Sequence, residues 1–307
     1  MATDAPAGRP DTSPWPYVIL ILSAVAFGFS AIFARLAAEA PALVIATWRA
    51  TIAALAMTLP FLAQSPAARR LDAPRRRAGL LGGLLFAVSL AVFHIALERT
   101  TAANATFLGN LAPLWVGVIT LLVLRRALPR LFWPGMAVAL LGAGLMVFSE
   151  GGLTGVHSGD LIIFANSTIW AAYQVLTGEA RARISALTWG WMVTGIGMLI
   201  LIPLTLLRGY SLTGYDGPTI AALVAAGLIS QFGGFMGYNY ALGYVPVARA
   251  SVINLLQPVI TAVVAALLLG EPFGGWRLAG GALVLTGIYV ATRPGYSRLA
   301  SQQAAEA

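Results

Sequence analysis

The sequence predicts an all-α polytopic membrane protein whose ten transmembrane helices form two inverted five-helix repeats. Three observations carry that reading. Hydrophobic residues make up 59% of the chain and charged residues 10%, more apolar surface than any soluble core uses. Apolar stretches of about 17 residues or more, each long enough for a hydrocarbon slab of roughly 30 Å, can be drawn ten times, with none of the alternation expected of a membrane barrel. The chain also repeats itself. Ala96-Leu97, Ala103, Ala105, Leu111, Pro113, Val118, Leu122 and Leu124 return as Ala241-Leu242, Ala248, Ala250, Leu256, Pro258, Val263, Leu267 and Leu269. Two residues closer in register, Trp133, Ala139, Leu140, Gly144 and Val147 return as Trp276, Ala282, Leu283, Gly287 and Val290. So long a period belongs to a transporter of two homologous halves rather than to a solenoid.

Taken in order, residues 1–16 are rich in Pro, Ala and Asp and predict a mobile tail. The first repeat, 17–149, holds spans near 17–37, 41–62, 78–97, 102–124 and 131–149. The first of these is too long for a signal-peptide core and leads at once into a second, so it is read as an uncleaved span. A basic loop over 63–77 separates the second span from the third, and Trp133 opens the fifth. Glu150 to Ser158, with three glycines and His157, joins the halves. The second repeat, 159–292, holds spans near 161–178, 186–207, 219–242, 247–269 and 276–292, and 293–307 is a second mobile tail. Five spans is an odd number, so the second repeat enters the membrane in the opposite direction to the first. A binding site is then expected near the midplane between the halves.

Charge sets the orientation. All nineteen basic residues are Arg, and short cytoplasmic loops are enriched in basic residues. With the N-terminus inside, the inner side holds Arg9, Arg69, Arg70, Arg75, Arg76, Arg77, Arg125, Arg126, Arg130, Arg181, Arg183, Arg249, Arg293 and Arg298, against Arg35, Arg99, Arg208 and Arg277 outside. Both termini are therefore placed in the cytoplasm, with the protein in a bacterial inner membrane. The net charge of +8 is not read as nucleic-acid binding. With no Cys, thiolate chemistry, disulfides and Cys-based metal sites are excluded. Nothing resembles a P-loop, so ATP is not the direct energy source. No cofactor is expected, and the oligomeric state is left open.

Several features together resemble the drug/metabolite transporter superfamily, specifically the EamA type. They are Arg49 after Pro41, Ala-Leu and Ala-x-Ala running into Leu-x-Pro at Pro113 and Pro258, Gly270-Glu271-Pro272, and the Trp openings of spans five and ten with Gly135 and Gly280 close behind. The resemblance covers about 17–292 and implies two five-span units and export of small organic metabolites such as amino acids or drug-like compounds. The sequence departs from the pattern where the acid Glu271 of the second unit is Arg126 in the first.

Matching Pro/Gly interruptions in both halves point to a transporter's binding site. Pro113 and Pro258 lack an N–H and clash one turn back, which predicts kinks that free the carbonyls of Gly109 and Asn254. Prolines are also common in membrane helices without such a role. Arg49 is the charge placed deepest in a span, about two turns from its outer end. It either binds a substrate carboxylate or pins the structure. His94 aligns with Asn239, and Phe93 with Tyr238. His94 either relays protons, which would then be the coupling ion, or is a hydrogen-bonded packing residue. Asn166, Trp170, Tyr173 and Gln174 share one face of span six, and Gln231, Tyr238, Asn254 and Gln257 add polar groups in spans eight and nine. Such a face suits a small-molecule pocket, or an interhelical hydrogen-bond seam. Gly79-x-x-x-Gly83 and Gly233-x-x-x-Gly237 permit close helix packing. A membrane-embedded enzyme would need a nucleophile with its base, or a metal cluster. Only two His are present and no His-Glu-x-x-His, so a carrier is favoured over an enzyme and over a passive pore or scaffold.

Overall fold

The computed structural model describes residues 13–148, 157–270 and 274–293. Among these there is helix and turn but no strand. Eight helical segments are long and apolar enough to cross a membrane: Trp15–Leu36 (span 1), Ala42–Leu62 (span 2), Ala73–Arg99 (span 3), Asn104–Leu122 (span 4), Ser158–Ala180 (span 6), Ala186–Leu207 (span 7), Gly217–Ala241 (span 8) and Val247–Leu268 (span 9). The shorter Phe132–Phe148 (span 5) and Gly275–Thr292 (span 10) complete the ten passes. Of the expected tails at 1–16 and 293–307 and the expected link Glu150–Ser158, residues 1–12, 150–156 and 294–307, Arg9 and Arg298 among them, lie outside the described residues, as do Ser149 and Glu271-Pro272. Trp15 and Pro16, expected in the tail, already belong to span 1, and Ser158 opens span 6.

Polar caps start these helices where the sequence leaves the hydrocarbon. Asp72, Thr101, Ser185 and Asp216 each accept a hydrogen bond from the amide three residues on, at 2.9–3.1 Å. The hydroxyl and amide of Thr219 also hold the Asp216 carboxyl below its ordinary range. Because Asp72 caps and Pro74 sits in the first turn, span 3 begins at Ala73 rather than at 78, and its first turns carry Arg75 to Arg77 beyond the apolar stretch.

The halves interlock rather than sit side by side. Spans 5 and 10 cross through glycines: a Cβ on Gly135 would lie 2.3 Å from the Ala291 nitrogen, and one on Gly287 would lie 2.3 Å from the Ala139 nitrogen. The Gly142 and Gly280 backbones meet in the same way, each closer than 3.0 Å to a hypothetical Cβ on the other. Where two backbones are in contact no side chain fits, so these pairs join the repeats by close packing. Span 3 packs on span 7, where Gly79 faces Met192 and Gly83 faces Ile196. Of the Gly233/Gly237 pair in span 8, Gly237 does similar work, against the Ser23 hydroxyl, while Gly233 meets nothing closer than the Leu228 carbonyl at 3.5 Å.

Spans 4 and 9 are both broken ahead of their prolines, as the repeat predicts. Span 4 is Ala102–Gly109 then Ala112–Leu122, and span 9 is Val247–Ile253 then Leu256–Leu269. The Asn254 carbonyl, expected to be free, accepts instead from the Gln257 amide at 3.1 Å, because the chain tightens to a three-residue turn there. Both spans end alike: Arg125 (φ 53°) and its repeat partner Gly270 (φ 67°) are left-handed.

Candidate functional site

A cavity of about 740 Å³ lies between the halves, within the range of small-molecule sites. Its wall runs from Arg35, Ala38, Leu97, Met146 and Ala265, at the end of the bundle that is poor in arginine, down to Gln174, Gln231, Ser251 and Asn254 near mid-depth. The arginine-rich end is closed. There the Tyr238 hydroxyl bonds Gln174 Oε1 at 2.5 Å, and Arg181 donates to the carbonyls of Asn239 (Nε, 2.8 Å) and Ile184. The Arg126 guanidinium pairs with both Glu179 oxygens at 2.5 and 3.0 Å, so the first-unit corner where an acid is replaced carries a charge pair of its own. Arg181, which the loop assignment treats as an inner-face charge, is 6% exposed and serves as a clamp.

Of the residues singled out in the sequence, Arg49, His94, Asn166, Trp170, Gln174 and Asn254 line this cavity, together with Pro113 and Pro258. The Arg49 Nη2 donates to Gln231 Oε1 at 3.1 Å. His94 Nδ1 lies 2.7 Å from the Leu90 carbonyl. Donation to that acceptor selects the tautomer that leaves Nε2 for the cavity.

Tyr173, Tyr238 and Asn239 are not in the wall, and the expectation for them is corrected. Tyr173 is 0% exposed, stacked behind Trp170 with ring centroids 5.0 Å apart and against Phe235 at 6.0 Å. A face of helix is wider than a cavity, so only Trp170 of the pair reaches it. Tyr238 (1%) and Asn239 (0%) are shut into the closed end, because inversion of the repeat puts them at the opposite depth from Phe93 and His94.

Two contributors were not legible in the sequence. Phe86 and Phe235, with ring centroids 5.2 Å apart, join Trp170 in the wall although apolar periodicity alone marks them only as core. Span 8 is π-helical over Ala226–Gly234, and Gln231 sits in that wide turn, a distortion frequent at functional sites. No sequence signal announced it beyond a run with three glycines.

The fold defines a polytopic membrane protein with a cavity between its two halves. The family model for the EamA-like transporter family matches residues 14–148 and again 157–293, and the chain belongs to that family. An uncharacterized transporter of Archaeoglobus fulgidus is 27% identical over 279 residues, 89% of this chain and 95% of that protein. A "probable terminal-alkyne amino-acid exporter" of Streptantibioticus cattleyicolor is 25% identical, covering 80% of this chain and 82% of its own. A "probable amino-acid metabolite efflux pump" of Salmonella typhimurium is 28% identical over 55% and 60%. A solved crystal structure superposes with a TM-score of 0.80 over 95% of this chain and 99% of that one, at 18% identity, which establishes the shared fold. The protein is thus a multi-pass membrane transporter of metabolites, acting on a small molecule within a lipid bilayer.

Proposed function

We propose that the chain is a secondary transporter that exports small organic metabolites by alternating access, its two units being 17–149 and 159–292. The observation that carries this is the cavity itself: it lies between the repeats at mid-depth, open at one end and sealed at the other by side chains from span 6, span 8 and the turn after span 6. A pore would be open at both ends, whereas a carrier holds one end shut. Arginine asymmetry puts the open end outside and the termini in the cytoplasm of a bacterial cell, making this the outward-facing state. Arg49, His94, Asn166, Trp170, Gln174 and Asn254 are the proposed substrate contacts, with Trp170 supplying aromatic area, and His94 is the group assigned to proton coupling. The amino-acid exporters among the relatives support export and amino-acid-like cargo.

Reconstitution into sealed vesicles tests this. Labelled amino acids, nucleosides and aromatic amines are offered one at a time; saturable entry and counterflow for at least one are expected, and entry that neither saturates nor exchanges identifies a pore. Single cysteines at Ser65 and Thr213 label from the cytoplasm and the outside respectively. Labelling of both from one face refutes the orientation.

A further inference from the structure

We infer that Arg49 is the anion-recognising group of the cavity, so that the transported molecules carry a carboxylate or similar anionic head while molecules bearing only a cation are refused. This rests on the carrier reading above and names its substrate class.

The cavity's charge inventory is one-sided. Among the described residues its lining includes Arg35 and Arg49 but no Asp or Glu. Arg49 is the eighth residue of span 2, roughly 10 Å along the axis from its start, where an uncompensated charge is expensive. A residue that only pinned spans 2 and 8 together would spend its donors on them. Instead, the one hydrogen bond shown is to a neutral amide, Gln231 Oε1 at 3.1 Å, and Nε is cut off from solvent with no partner among the described residues. Gln231 can orient the guanidinium but cannot neutralise it.

The mounting is stiff. Gln231 is 2% exposed and sits in the π-helical segment of span 8. That segment is locked to span 2 at Gly227, where a Cβ would lie 2.6 Å from Ile52, one turn past Arg49. A planar guanidinium fork in the cavity wall matches the flat, two-oxygen edge of a carboxylate or similar anionic head. The remaining wall supplies what an organic acid needs elsewhere: the aromatic group Trp170, Phe86 and Phe235 for an apolar body, and the Asn166 and Asn254 side-chain oxygens, buried and without a partner among the described residues, for N–H donors. Cationic molecules gain no counter-charge from the described lining residues and meet the Arg49 guanidinium, of like sign.

Four matched probes decide it: L-phenylalanine, 3-phenylpropionate, phenethylamine and L-phenylalaninamide, which share a ring and differ in carboxylate and amine. Thermal shift of the purified protein is expected with the first two and absent with the last two. Arg49→Gln keeps a hydrogen-bond partner for Gln231 and is expected to weaken the carboxylates about ten- to a hundredfold, the value of a charge-assisted hydrogen bond; Arg49→Lys restores part of it. If Arg49→Gln does not purify, the wild-type comparison decides alone. Equal shifts from the amines, no shift from any probe, or undiminished carboxylate binding by Arg49→Gln overturns the assignment. Counterflow keeps the two readings apart: exchange of amines as fast as carboxylates leaves the carrier intact and removes the role of Arg49, whereas failure of every compound to exchange removes the carrier.

Discussion

Spans 3 and 8 occupy equivalent places in the two repeats and do opposite things. Span 3 is helical without interruption to Ala96 and presents Phe93 and His94 to an open cavity. Span 8 bulges through nine π-helical residues and buries the counterparts, Tyr238 and Asn239, in the closed end. The difference teaches that an inverted repeat makes equal sequence positions unequal in depth: one copy faces solution while the other forms the floor. The Asn239 amide has neither Nδ2 nor Oδ1 partnered among the described residues. A buried amide without partners in one state is accounted for if it lines the cavity in the other, when the ends exchange roles.

The comparison can be broken most forcefully at the glycines. Gly83→Val pushes its side chain against Ile196, to which a Cβ alone would already come within 2.6 Å, and is expected to destabilise the protein by about 1–3 kcal/mol. Gly233→Ala, whose Cβ would make only an ordinary 3.5 Å contact with the Leu228 carbonyl, is expected to change stability by under about 0.5 kcal/mol. Equal losses in chemical denaturation would mean that the two glycine pairs are packed alike. A smaller effect of opposite sign sharpens the floor argument. Asn239→Leu, nearly isosteric, removes the unpaired amide and is expected to raise unfolding free energy by about 1–2 kcal/mol while slowing counterflow, because the closed end is then too stable. A variant as fast as wild type would show that Asn239 has no part in the exchange. The smallest effect falls at the helix stops. Arg125 holds a conformation that its partner Gly270 adopts freely, so Arg125→Gly is expected to gain about 0.5–1 kcal/mol; a melting temperature that falls would locate a compensating contact of the Arg125 side chain.

The membrane class, the passes, the duplication and the two broken spans were legible in the sequence, because each depends on local rules: apolar length, spacing and the missing N–H of proline. The start of span 3 was misplaced by five residues since hydropathy sees the hydrocarbon and not the Asp72 cap. Of the candidate site, the polar and aromatic residues were recognisable by type. Which of them meet was not: Trp170 and Tyr173 share a face, and only the packing of Phe86 and Phe235 decides that one reaches the cavity and the other is walled in. The bond from Arg49 to Gln231 joins residues far apart in the chain across a π-helical turn, and the open and shut ends depend on contacts between distant spans, such as Tyr238 with Gln174 inside the second half and spans 5 with 10 between the halves. Sequence by itself determined the parts and their inverted order, since helix formation in a bilayer is satisfied within each segment. Tertiary structure alone decided depth, partners and which end stands open, since those follow from how two similar but unequal surfaces pack against each other.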